Sequence, residues 1–410
     1  MAERAARYVI IGNGIAGSVA ARRLREFDRA CRVSLLTDEP YPLYNRVRLP
    51  HYLKGMISRE EVFMRSAEEE KARGIDFLAE TTVSAVHAQE KFVECADGRR
   101  LPFDRLLIAT GGRPRRLSVP GAQGPGVFTY QYLDDVNAMR ELLPNARRAM
   151  VVGGSLIGYE LVAAFREWNL ETTWLIRGPH FMHRQIDAEA GALVSRIAQR
   201  HGVKVIYGEE VAEMQRANGS VSEARTTGGR TISCDLVGVA VGLKKNIDFL
   251  QGSTIALNEG VLTDEHLVTS HPDVYAAGDV AEFNDLVVGQ RSLLGTWHNA
   301  SLQGELVAKN MLGAQLVFKA VPIYSNPLFD SRIKVIGITS QSDRSLESLV
   351  KNEPDQGRYL RLFFRGAQLV GAVIIGKIDY HLRVALMKYM LTGEHVPNKQ
   401  HLIATQSHTV

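Results

Sequence analysis

Tyr8-Val9-Ile10-Ile11-Gly12-Asn13-Gly14-Ile15-Ala16-Gly17 decides the fold: an apolar strand runs straight into G-x-G-x-x-G. The same grammar returns 141 residues later (153 − 12) as Met150-Val151-Val152-Gly153-Gly154-Ser155-Leu156-Ile157-Gly158. Glycines at these places let the backbone turn tightly and approach a pyrophosphate at a helix N-terminus. One such motif is weak evidence. Two, each following a strand and opening an apolar-patterned helix, point to one bound cofactor that receives electrons from a second.

Working outward, Arg7–Ile11 reads as a buried parallel strand, 15–27 as its helix and 32–36 as the next strand, a βαβ unit. An acid about 20 residues past the last glycine is placed to hold a ribose hydroxyl pair. Asp38 and Glu39 both fit, and the sequence does not separate them. A strand at 105–109 ends in Thr110-Gly111-Gly112. A second βαβ begins around 145–152, with a helix from 156 to about 168 and a strand at 172–176. An apolar strand at 236–241 is closed by Gly242. Val274-Tyr275-Ala276-Ala277-Gly278-Asp279-Val280 precedes a helix at 296–312. Beyond about 322 the alternation at 334–338, 359–364 and 369–375 predicts an antiparallel sheet. A basic amphipathic helix is expected at 380–391, and the last ten residues, polar throughout, are expected to be loose.

A chain of 410 residues is too long for one ordinary core. Its formal charge of +4 falls short of the concentrated basic footprint of a nucleic-acid binder. It suits solubility, or an acidic protein partner. Cys31, Cys95 and Cys234 form no C-x-x-C pair, so they make neither an iron–sulfur nor a zinc site. Their sparse use fits a reducing compartment. With no secretory apolar region before the first strand, and no apolar run near the ~18–20 residues of a membrane span, a cytoplasmic protein is expected.

G-N-G-I-A-G at the start, L-I-A-T-G-G-R-P at 107–114 and V-Y-A-A-G-D at 274–279 resemble, in that order, the FAD- and NAD(P)-dependent oxidoreductases with two dinucleotide-binding domains. Pro40-Tyr41-Pro42-Leu43-Tyr44-Asn45-Arg46-Val47-Arg48-Leu49-Pro50-His51-Tyr52-Leu53-Lys54-Gly55 narrows the resemblance to NAD(P)H:rubredoxin reductases and the flavin module of assimilatory nitrite reductases. It covers essentially the whole chain. It implies an α/β fold of two Rossmann-like three-layer domains: an FAD domain at 1–115 and 247–320, with an NAD(P)H domain inserted at 116–246. A C-terminal α+β interface domain at 321–410 follows.

The resemblance assigns residues as well. Gly12, Gly14, Ile15, Ala16 and Gly17 match the FAD pyrophosphate loop, and Arg46 the contact with its adenosine end. Ala109, Thr110 and Gly111 match a turn beside the flavin. Gly278 and Asp279 match the acid that binds the ribityl chain or phosphates. Thr296 and Trp297 fall at the helix N-terminus that faces the flavin pyrimidine ring, where a helix end stabilises negative charge. Gly153, Gly154, Ser155, Ile157 and Gly158 match the nicotinamide-nucleotide loop, with Gly242 closing the neighbouring strand. Glu160 matches a glutamate that reaches the nicotinamide carboxamide; its alternative reading is a solvated first-turn acid complementing the helix dipole.

Departures from the pattern are informative. The stretch Arg46-Val47-Arg48-Leu49-Pro50-His51 carries no cysteine where disulfide reductases and NADH peroxidases of the group place theirs. Thiol chemistry needs a positioned thiolate, so those activities are excluded. Pro50 and His51 stand where many ferredoxin reductases carry serine and lysine. His51 either tunes flavin protonation or packs beneath the FAD-domain helix. Ser155 replaces the middle glycine of the second fingerprint and is bulkier at the pyrophosphate. The second strand of that unit ends in Arg177 rather than an acid. Arginine suits a 2′-phosphate and hence NADP(H), yet relatives lacking the acid use NADH, and NAD(H) is the reading preferred.

The expected activity is hydride transfer from a nicotinamide nucleotide to FAD. Single electrons then pass to rubredoxin, ferredoxin or an iron–sulfur subunit of a larger complex. The alternatives are reduction of a quinone or oxygen, with the helix at 380–391 on a membrane surface rather than packed on its own domain, or a redox-sensing protein that binds both nucleotides. A homodimer and a hetero-complex are both compatible. Arg361, Arg365, Lys377 and Arg383 form either a docking face or ordinary solvated charge.

Overall fold

A computed structural model describes residues 4–377 and 380–404. They divide into two compact units. The first takes the described residues within Met1–Arg48, Ser58–Arg113 and Lys244–Ala320, and the second those within Leu49–Ile57, Pro114–Leu243 and Val321–Val410.

The first unit is built on a five-stranded parallel sheet with the first fingerprint strand, Arg7–Ile11, at its centre. On one side lie Arg32–Leu36 and Ile75–Leu78; on the other lie Arg105–Ile108 and Val274–Ala276. Side chains alternate across a strand, and both faces here are covered. Tyr8 and Ile10 join a core with Ala20 and Leu24 of the helix Ile15–Phe27 and Val307 of the helix Trp297–Met311. Val9 and Ile11 join a second core with Val93 and Phe103. The strands Val83–His87, Phe92–Cys95 and Arg100–Pro102 form the antiparallel layer on that face. The first helix stops at Asp28, whose carboxylate accepts from the backbone of Ala30 and Cys31 at 2.9 and 3.1 Å and turns the chain into the next strand.

The second unit repeats the plan. Arg148–Val152 is central, flanked by Glu171–Ile176 and Val203–Tyr207 on one side and by Leu236–Val239 and Val127–Thr129 on the other, all parallel. Met150, Val152 and Val237 pack beneath an antiparallel layer, Val211–Ala217, Ser220–Thr226 and Thr231–Ser233. The fully buried Trp174 lies edge-on to Tyr159 of the helix Leu156–Glu167, ring centroids 5.6 Å apart. A separate five-stranded antiparallel sheet completes this unit in the order Ile323–Leu328, Ser331–Gly337, Gln368–Ile375, Arg358–Arg365, Glu347–Glu353.

The strands and helices expected from the pattern are present, with ends displaced by up to three residues. The fringe layers of short antiparallel strands, at 83–102, 211–233 and 281–292, were not legible. The helix Tyr380–Thr392 turns Leu382, Leu386 and Met390 inward and packs on Gln368–Ile375, which favours packing over a membrane surface; Leu391 faces solvent. Part of the supposedly loose tail is ordered, since Lys399–Ala404 is helical with Leu402 buried; residues 405–410 lie outside the described residues. Among the described residues no helix is long and apolar enough to cross a membrane.

The two helices over the first sheet cross where side chains vanish. A Cβ at Gly304 would lie 2.3 Å from the carbonyl oxygen of Ala16, a backbone atom that cannot swing aside. We expect Gly304→Ala to lower unfolding stability by about 1–3 kcal/mol, the cost of overpacking. Urea titration should show a lower midpoint at unchanged slope.

Candidate functional site

Each fingerprint folds into a turn that only glycine permits. Gly12 has φ of +110°, and a Cβ there would meet the Ala109 carbonyl oxygen at 2.3 Å. A Cβ at Gly17 would lie 2.0 Å from the carbonyl oxygen of Gly12, so the first helix turn sits directly on the strand end. Gly14 is different: its nearest neighbour would be Arg46 Nη1 at 3.7 Å, leaving an open face above the helix start. Gly14 caps that helix with no side chain, and the first turn, with Ile15 and Ala16, carries no acid. The terminal N–H groups are thus presented to an incoming anion.

Around this turn the first unit gathers charge. Glu39 accepts from Arg46 Nη2 and from the Tyr44 hydroxyl, both at 2.7 Å, whereas Asp38 is exposed. Burial drives the Tyr44 phenol well above its ordinary range. Gly278, with φ of +78°, donates its N–H to Gln303 Oε1 at 2.6 Å. The neighbouring Asp279 is half-buried. Burial holds its carboxyl above the usual range, opposed by Lys245 and Arg46. Thr296 caps the helix that Trp297 opens, its hydroxyl accepting from Asn299 N at 3.3 Å. The Ala109–Gly111 turn is clipped by Asn246, which accepts from the Thr110 hydroxyl at 2.7 Å and donates to the Thr110 carbonyl at 3.0 Å. The Thr110 hydroxyl therefore serves the backbone of the turn. Gln303, Gly304, Lys245 and Asn246 were not foreseen; only the glycine within a helical pattern offered a signal.

The second turn reproduces the first to within tenths of an ångström. A Cβ at Gly153 (φ +123°) would meet the Ala240 carbonyl oxygen at 2.2 Å, and one at Gly158 the Gly153 carbonyl oxygen at 2.2 Å. Gly154 is held against Ile176, 2.6 Å from an added Cβ. Gly242 has φ of +104° and open space above it. Ser155 folds its side chain back instead of projecting it: Oγ accepts from Gly158 N and donates to the Ala240 carbonyl, each at 3.2 Å. It is a helix cap that replaces the missing glycine. Ile157 follows in the first turn.

Glu160 is not a solvated acid. It lies partly buried in the helix Leu156–Glu167, and its Oε1 accepts from Asn326 Nδ2 at 2.5 Å. Burial pushes its carboxyl up to about 7, against the opposing pull of the Asn326 donor and the Lys54 charge. Asn326 belongs to the strand Ile323–Leu328, far away in sequence, and no pattern announced it. His51 is exposed in the short helix Leu49–Leu53, so its packed alternative is overturned. Arg177 is exposed and pairs with Glu210 at 3.3 Å. Of the supposed docking charges, Arg361 is engaged with the half-buried Asp187 and with Ser348, and Arg365 with Asp343. The three cysteines are buried, and burial raises each thiol, Cys234 to about 12. A buried, protonated thiol is inert.

Two parallel sheets, each ending in a glycine turn at a helix start, define a two-dinucleotide oxidoreductase fold. The family model described as pyridine nucleotide-disulphide oxidoreductase matches residues 6–304, and that of the rubredoxin NAD+ reductase C-terminal domain matches residues 328–386. This chain belongs to the pyridine nucleotide-disulphide oxidoreductase family, whose members work with FAD and NAD(P)H. The biphenyl dioxygenase system ferredoxin–NAD(+) reductase component of Paraburkholderia xenovorans (strain LB400) is 33% identical over 329 residues, 80% of each chain. Nitrite reductase [NAD(P)H] of Bacillus subtilis (strain 168) is 27% identical over 90% of this chain, which spans only 45% of that longer protein. Among solved structures, the covalent putidaredoxin reductase–putidaredoxin complex superposes with a TM-score of 0.90 at 23% identity, over 99% of this chain and 100% of that one; this is likeness of fold.

The Glu160 shift has a consequence for stability. Its folded-state pKa exceeds the ordinary value of 4.5, so between about 4.5 and 7 the folded chain binds more protons than the unfolded chain. Stability contributed by this group is therefore lost as pH rises through that window. Glu160→Gln keeps an acceptor for Asn326 without the charge. Relative to the parent, its melting temperature should climb between pH 5 and pH 8, as thermal scans at both values would register.

Proposed function

We propose that this chain is an FAD-dependent NAD(P)H oxidoreductase that passes electrons one at a time to a separate iron–sulfur protein of the ferredoxin or rubredoxin kind. One observation carries the reading: two equivalent glycine cradles occur in a chain whose three thiols are all buried and protonated. Without a dithiol relay, electrons leave from the flavin itself. FAD, when bound, accepts a hydride and releases its two electrons singly.

In this reading the Gly12–Gly17 turn and its helix start hold the FAD pyrophosphate, the one open glycine face supporting the fit. Glu39, oriented by Arg46 and Tyr44, takes the adenosine ribose in preference to the exposed Asp38. Asp279 hydrogen-bonds the ribityl–phosphate stretch, and the helix start at Thr296–Trp297 stabilises negative charge at the flavin pyrimidine edge. The Gly153–Gly158 turn holds the nicotinamide nucleotide, and Glu160 accepts from its carboxamide. Hydride transfer asks only for orientation at close distance. The segments 1–115 with 247–320, 116–246 and 321–410 then serve as FAD, NAD(P)H and interface domains.

NADH is the preferred donor, because Glu210 occupies Arg177 and opposes a 2′-phosphate there. The pair is exposed and weak. Glu210→Gln should therefore raise the kcat/KM ratio of NADPH to NADH by only about two- to fivefold, the scale of an exposed ion pair.

The decisive assay mixes the FAD-loaded protein anaerobically with NADH, follows bleaching by stopped flow, then adds a ferredoxin or a rubredoxin. Rapid bleaching followed by prompt reoxidation by the carrier is the expected result. Bleaching with no reoxidation by any one-electron protein carrier, but with reoxidation by a quinone, would overturn it.

A further inference from the structure

The helix residues Tyr159 and Glu160 both meet the hairpin formed by Ile323–Leu328 and Ser331–Gly337. Phe329, at the hairpin turn, lies edge-on to Tyr159 with centroids 5.5 Å apart. It also stacks on the His201 imidazole at 4.2 Å and 10°. Next to it, Asp330 lies 3.3 Å from His201 Nε2. These contacts anchor the turn over the helices Leu156–Glu167 and Ala188–Arg200. Three residues before Phe329, Asn326 reaches Glu160 Oε1 through Nδ2. Oε1 of the Glu160 carboxylate is thereby engaged within the protein.

We infer that Asn326 is the positioning residue for Glu160: by donating to Oε1 it turns the carboxylate toward the nicotinamide carboxamide and favours its ionised, accepting form. The inference rests on the proposed role of Glu160. A neutral amide donor suits the task. It fixes the carboxylate plane without neutralising the charge, as a lysine or arginine at the same distance would, and it makes a hydrogen bond to the anion stronger than one between neutral groups. Among the described residues, few groups act on Glu160. Lys54, partly buried beyond the helix Leu49–Leu53, favours ionisation. The buried Tyr130 hydroxyl is a neutral neighbour whose own phenol is raised by burial and by Glu160. Asn326 is the donor within hydrogen-bond reach. With Asn326 and Lys54 favouring the anion and burial opposing it, Glu160 is poised where loss of one donor changes its charge near neutrality.

The test is the dissociation constant of NADH, measured anaerobically by nucleotide fluorescence from pH 5.5 to 9.5 on the flavin-loaded protein whose flavin has been fully reduced beforehand, so that binding occurs without hydride transfer. The parent, Asn326→Ala, Asn326→Asp and Glu160→Gln are compared, with flavin content and melting temperature as checks of folding. The parent should bind NADH more tightly as pH rises through about 7. Asn326→Ala should move that limb to higher pH by about one unit or more, the shift that matches loss of one hydrogen bond to a charged group. Its affinity should return toward the parental value at pH 9.5. Asn326→Asp, isosteric but anionic, should move the limb further. Glu160→Gln should abolish the limb. If Glu160→Gln flattens the profile while both Asn326 variants keep the parental midpoint and lose affinity equally at every pH, Asn326 is merely structural and the inference is overturned. If Glu160→Gln retains the parental limb, the role of Glu160 itself is at fault, and this inference falls with it.

Discussion

A backbone carbonyl pressed against a glycine is the contact on which each half of this molecule depends. At Gly12 and at Gly153 the chain turns out of the central strand so close to the end of its neighbour that a methyl group would sit about 2 Å from a carbonyl oxygen. At Gly17 and Gly158 the following helix rests on the same turn with equal intimacy. Close-packed backbone of this kind cannot relax around a side chain. It fixes the helix axis relative to the sheet, and so fixes where the helix N-terminus points. Everything else at the two sites is arranged around those two fixed directions.

The cradles differ in how they treat charge. In the first, the helix start is bare and its surroundings are ionic, with Glu39, Arg46, Lys245 and Asp279 near the same turn. In the second, Ser155 caps the helix from within, and the nearby acid, Glu160, is held by an amide rather than a cation. The first arrangement suits a ligand that stays, anchored by several charged contacts. The second suits one that arrives, reacts and leaves, where a weaker and adjustable contact is an advantage.

Much of this was legible because the controlling features are local. A strand, a glycine turn and a helix follow one another within about 20 residues, so Gly12–Gly17 and Gly153–Gly158 and both βαβ units could be read directly; alternation gave three strands of the C-terminal antiparallel sheet but not Ile323–Leu328 or Glu347–Glu353. The choice between Asp38 and Glu39 was closed to the sequence, since it depends on Tyr44 and Arg46 folding back onto one of them. Asn326 was equally hidden: its partner lies 166 positions earlier, and a single asparagine in a strand carries no periodicity. Ser155 looked like a defect in a motif and is a cap, because a serine that bonds its own helix start satisfies a donor that glycine leaves open. His51 was judged from its neighbours in sequence, whereas its exposure follows from how the short helix around it lies.

The two glycine cradles are proposed to hold different nucleotides, one each. A crystal structure of the protein grown with FAD and NAD+ tests this most directly. The flavin nucleotide's pyrophosphate is expected over Gly14 at the start of the helix Ile15–Phe27, and the nicotinamide nucleotide's pyrophosphate over Ser155 at the start of the helix Leu156–Glu167. A pyrophosphate of either cofactor bound elsewhere, or the two exchanged between the cradles, would contradict it.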